Sequence, residues 1–100
     1  MQVQNHWTKF HAHWKKTGNA VYVSFDIVFG KAMTVNEAFA TDLPVPANGI
    51  AQVNIPTLLM DENGLNRNPA LVAVTSNGEI IVGQSCSFKQ RIIANFVYFS

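Results

Sequence analysis

The sequence predicts an all-β, antiparallel fold in one domain: a jelly roll, β-sandwich or small barrel. Apolar residues alternate with polar ones along most of the chain. Turn signals return about every 8–12 residues. One hundred residues suit one compact domain and are too few for two. The expected domain is 1–100, with an ordered core over about 7–99.

The elements follow in order. Phe10, Ala12 and Trp14 alternate with Lys9, His11 and His13. Lys16-Thr17-Gly18-Asn19 then reads as a hairpin turn, with Gly18 and Asn19 suited to positive φ. Val21, Val23, Phe25, Ile27 and Phe29 form a second period-two run and are expected to face the core. The segment from Lys31 to Leu43 is less regular. Within it, Val35 to Ala40 allows a helical turn or an extended stretch, and the extended form is preferred. Pro44 and Pro46 exclude helix and central strand. Val53, Ile55 and Leu58-Leu59-Met60 read as short strands interrupted by Pro56. Asp61-Glu62-Asn63-Gly64 marks a turn. Asn77-Gly78, between Leu71–Val74 and Glu79–Val82, is the strongest hairpin signal. A final strand over about Ile92–Phe99 sets Ile92, Ala94, Phe96 and Tyr98 on one face, and Ile93, Asn95, Val97 and Phe99 on the other.

Composition narrows the function. Hydrophobic residues make up 48% and charged residues 13%, against a usual charged share of about 25%. A small domain with so few charges points to a surface partly covered by copies of itself or by another protein. Both faces of the last strand are apolar, so either it is central with both faces internal, or Ile93, Val97 and Phe99 form an oligomer interface, the reading preferred here. The net charge is +1 and the seven basic residues are scattered, so no nucleic-acid footprint is expected. No apolar run reaches the roughly 20 residues of a membrane helix. Residues 1–6 lack the regions of a signal peptide, which predicts synthesis in a cytoplasm. The one cysteine, Cys86, allows no internal disulfide and reads as a structural thiol.

Chemistry-bearing residues are few. His11 and His13 share a strand face at a spacing that suits a metal, but no carboxylate or thiol accompanies them, and no metal or other cofactor is expected. Asp26, Glu37, Asp42, Asp61, Glu62 and Glu79 lie mostly in or beside turns, and no nucleophile elbow, phosphate loop or dinucleotide fingerprint occurs. The chain is therefore read as non-enzymatic. Trp7, Trp14 and Tyr22 are aromatics able to stack on sugar rings. Trp14 shares a face with Phe10 and is assigned to the core. Trp7, His11, His13, Gln84 and Arg91 form the candidate saccharide-binding set.

The order of features resembles head or accessory domains of tail-fibre, baseplate and receptor-binding proteins of phages that infect Gram-positive bacteria. It is carried by Trp7, the hairpin Gly18-Asn19-Ala20-Val21-Tyr22-Val23, the Leu43-Pro44 corner, Asn77-Gly78-Glu79-Ile80 and an aromatic last strand reaching Tyr98. The resemblance implies a homotrimeric β head in the virion, at the tail tip or baseplate, that recognises host cell-wall saccharide beside other tail proteins. Such heads often carry a His-x-Asp pair and a following Trp. The matching positions here are Leu71, Ala73 and Val82, which neither hydrogen-bond nor stack on a sugar. Arg91 does match a basic residue found there. A structural assembly domain without glycan binding, and a bacterial carbohydrate-binding module, are the alternatives.

Overall fold

A computed structural model describes residues 2–3, 8–48 and 50–100, with side chains from residue 11 onward. The described residues form strands and connections and contain no helix. The strands are β1 (Gln2–Val3), β2 (Thr8–Thr17), β3 (Ala20–Val28), β4 (Ala38–Thr41), β5 (Gln52–Met60), β6 (Asn68–Thr75), β7 (Ile80–Val82) and β8 (Arg91–Phe99). They make one antiparallel sheet in the order β1-β4-β7-β6-β5-β8-β3-β2.

The pairing is nested. β3 pairs with β8 from Ala20↔Phe99 to Val28↔Arg91. The same ladder runs on through the connections: the Phe29 N–H donates to the Gln90 carbonyl at 2.9 Å, and Met33 and Cys86 exchange bonds of 2.7 and 3.0 Å. It ends in β4 and β7, where Ala38 faces Ile81 and Ala40 faces Ile80. β5 and β6 form the innermost hairpin. The chain is thus a long hairpin rolled onto itself, which sets one end of the sheet over the other.

The roll makes the core. Phe25 on β3 and Phe39 on β4 are far apart in strand order, yet their rings meet edge to face at 5.3 Å and 72°. Val21, Val23, Phe25, Ile27 and Phe29 all face inward as the alternation predicts, and meet Val72, Val74, Ile80 and Val82 from the other half of the sheet. Trp14 packs against this core, as assigned. The edge strands are also close along the chain. Five peptide links join Val3 to Thr8, a reach of about 18 Å.

The lower end is sealed by the connection after β4. The Tyr98 hydroxyl donates to the Pro44 carbonyl at 2.7 Å, and burial pushes its pKa up to about 12. The Leu43 N–H donates to the Gly78 carbonyl at 3.0 Å. Gly78 has φ +75°, and a Cβ there would collide with the Leu43 carbonyl oxygen, so both conformation and space require glycine.

Four sequence expectations need correction or refinement. Only Gly18 takes positive φ in the first hairpin. Asn19 does not, which is the pattern of a turn with glycine at its first central position. Phe10 stands at a bulge between the Lys9↔Ile27 and His11↔Asp26 pairs. The irregular segment turns at Asn36, with φ 69°, before β4 begins. Glu37 fixes that turn by accepting the Thr34 N–H at 3.2 Å and pairing with Lys31. Lys31, then Thr34, hold its carboxyl below the usual range.

Pro56, fourth, does not interrupt its strand. β5 runs nine residues and pairs with β6 from Gln52↔Thr75 to Leu59↔Asn68. What ends at this point is the pairing on the opposite side. β5 keeps β8 only over Leu58↔Ile93, Leu59↔Ile92 and Met60↔Arg91. In that register the next partner of Asn95 would be Pro56, which has no N–H to give. The Thr57 hydroxyl donates to the Ile93 carbonyl at 2.5 Å, and β5 and β8 separate beyond it.

Candidate functional site: the outer face of β2, β3 and β8

Alternation that buries one face of a strand displays the other. On β3 the displayed residues are Tyr22, Ser24 and Asp26. The registers of β2 and β8 align them in rows. Lys15, Tyr22 and Val97 stand side by side, then His13, Ser24 and Asn95, then His11, Asp26 and Ile93. Residues distant in sequence thus share one surface.

A shallow depression of about 420 Å³ lies over the first two of these rows, lined by His13, Lys15, Tyr22, Ser24, Asn95 and Val97 among others. Tyr22 is 52% exposed and forms the flat aromatic element. The Ser24 hydroxyl donates to Asn95 Oδ1 at 2.7 Å, which orients that amide. Lys15 is a cation without a carboxylate beside it among the lining residues. The depression therefore offers an aromatic surface bordered by an amide, a hydroxyl, an imidazole and an ammonium group. That is the chemistry for packing against the C–H face of a sugar while bonding its hydroxyls.

The predicted saccharide residues divide. His11 and His13 are exposed on this face, with ring centroids 6.1 Å apart. No cluster of metal-ligating side chains forms among the described residues. Arg91 lies at the neighbouring end of β8. Its Nε and one terminal nitrogen donate to the two carboxylate oxygens of Asp26 at 2.7 and 2.6 Å. This two-pronged pair raises the Arg91 pKa further and ties β8 to β3. Gln84 stands apart, in the β7–β8 connection. Its Oε1 accepts the Leu71 N–H at 2.8 Å and its amide reaches the Cys86 sulfur at 3.5 Å, so it caps β6 where β7 has ended. Trp7 lies outside the described residues.

The predicted oligomer interface falls on the same surface. Ile93, Val97 and Phe99 point outward from β8, with Val97 45% and Phe99 59% exposed. Of the predicted saccharide set, His11, His13 and Arg91 thus share one face with the predicted interface. Sequence reading did not assemble Lys15, Tyr22, Ser24 and Asn95 into it. Alternation alone put Tyr22 and Ser24 outward, but only the register of three strands brings Lys15 and Asn95 beside them.

Cys86 and Asp61 serve the fold. Cys86 is buried, which pushes its thiol pKa up. Asp61 accepts the N–H groups of Leu65 and Asn63, both at 2.9 Å, and an amide proton of Asn66 at 2.9 Å. Those bonds, that from Leu65 first, hold its carboxyl below the usual range. No family model matches this chain, and no match is found among curated proteins or solved structures.

Proposed function

We propose that this chain is a non-catalytic binding module that recognises saccharide through the outer face of β2, β3 and β8. The observation that carries the reading is the depression around Tyr22, where an exposed ring is bordered by Lys15, His13 and the Ser24–Asn95 pair. Tyr22 supplies the stacking surface and the four polar groups supply orientation. The setting we propose is the tail tip or baseplate of a phage, with three copies around an axis and host cell-wall saccharide as the ligand. That setting rests on the resemblance in the sequence.

A second reading has its own support. Val97 and Phe99 extend the Tyr22 surface as a continuous apolar strip, which suits self-assembly without a glycan. Light scattering combined with titration of Gram-positive cell-wall polysaccharide separates the two. Under the first reading, His13→Ala and Lys15→Ala weaken polysaccharide binding and leave the mass unchanged. Under the second, the wild-type chain binds no polysaccharide, and Phe99→Lys returns the oligomer to the single-chain mass.

A further inference from the structure

β8 presents different main-chain groups to its two sides. The Ile93 carbonyl accepts the Thr57 hydroxyl and the Phe99 carbonyl accepts the Ala47 N–H, so the odd residues of β8 aim their N–H and C=O groups toward β5. The Gln90 carbonyl and the Ser100 N–H bond to Phe29 and Asn19 on the β3 side, so the even residues aim the other way. β5 pairs with β8 only as far as Leu58↔Ile93. Among the described residues, the main-chain groups of Asn95 and Val97 on the β5 side therefore meet no strand. They form an open strand edge inside the sheet, created by Pro56 and closed at its upper end by the Thr57 hydroxyl.

The surroundings of this opening fit an extended chain. Val53, Ile55 and Phe96, at its inner side, are only partly buried against the core, whereas Val72, Val74 and Ile80 in the same core are fully buried. Alternate apolar side chains of an added strand would complete that cover. On the outer side a depression of about 390 Å³ is lined by Pro56, Leu58, Ile93, Asn95 and Arg67, among others, with no carboxylate among the lining residues. Arg67 spends its Nε on the Gly64 carbonyl at 2.9 Å, and its terminal nitrogens remain for an anion.

We propose that the opening between β5 and β8 binds an extended segment of a partner polypeptide by strand addition. The segment carries apolar side chains at alternate positions and a carboxylate on its outer side, facing Arg67. This inference does not depend on the saccharide reading, because it uses the main chain of β8 and the far side of Asn95 from Tyr22.

The test is amide hydrogen exchange followed by NMR on the whole chain, with the heptapeptide Val-Thr-Val-Asp-Val-Thr-Val at millimolar concentration as probe. In the protein alone, the Asn95 and Val97 amides should exchange at least tenfold faster than those of Ala94 and Phe96. The peptide should slow Asn95 and Val97 at least tenfold. The same peptide N-methylated at alternate residues should not, because it keeps the side chains and loses the donors. Pro56→Val restores the missing donor, should let β5 close onto Asn95, and should abolish the peptide effect. Asn95 and Val97 rates that stay unchanged in saturating peptide would overturn the proposal. So would protection confined to the edge strand β2, or equal protection by the N-methylated peptide, a readout that holds even if Pro56→Val fails to fold.

Discussion

Phe25 and Tyr22 lie three residues apart on the same strand and do opposite things. Phe25 is 1% exposed and packs edge to face on Phe39 and Phe96, at 5.3 and 6.3 Å. Tyr22 is half exposed between Lys15 and Val97. The inner face is specified by hydrophobic burial and tolerates little change. The outer face also displays groups that the core does not bury, Tyr22 foremost, and an exposed aromatic of that kind is where binding is to be sought. A single pleat thus separates the buried core from the proposed binding surface.

The largest effect expected from breaking this division is on the inner side. Phe25→Ala should cost about 3–5 kcal/mol, read from the shift of a denaturant midpoint at constant slope. A shift no larger than that of a surface substitution would show that the roll of β3 onto β4 is wrong.

Next comes the seal at the lower end. Tyr98→Phe leaves the Pro44 carbonyl without its donor and should cost about 1–2 kcal/mol. Tyr98 also carries a pH signature. Its pKa is raised from 10.0 to about 12 in the folded chain, so between those values the folded state keeps a proton that the unfolded chain has released. The stability linked to it is fully present below pH 10 and is lost as pH rises through 12, by at most about 3 kcal/mol in all. Unfolding measured across that window should show the decline in the wild-type chain and a shallower one in Tyr98→Phe.

A smaller effect is expected on the outer side. The Asp26–Arg91 pair is partly exposed, with side chains at 20% and 23%. Asp26→Asn keeps the shape and loses the charge, and should cost about 1 kcal/mol. A thermal melt that does not move would mean that water does the work of this pair.

How much of this was legible in the sequence follows from the same division. Alternation is a local property, so the inward run Val21–Phe29, the outward Tyr22 and Ser24, and both faces of β8 were readable from spacing alone. Register is not local. Nothing in the spacing of Lys15, Tyr22 and Asn95 says that β2, β3 and β8 are neighbours, so the surface they share was invisible. The saccharide set chosen from sequence mixed His11 and His13, which reach this face, with Gln84, whose amide is occupied by Leu71 and Cys86. Pro56 shows the same limit. A proline forbids one donor, and the sequence cannot say which neighbouring strand would have needed it. Here β6 keeps its pairing and β8 loses its own.

If the proposed binding surface is the outer face of β2, β3 and β8, Tyr22 serves the ligand and not the fold. Tyr22→Ala tests both halves in one titration of Gram-positive cell-wall polysaccharide, followed calorimetrically beside a thermal melt. The variant should melt with the wild-type chain and bind at least tenfold more weakly, a loss of about 1.4 kcal/mol. Polysaccharide bound equally well by both chains would contradict that role for Tyr22.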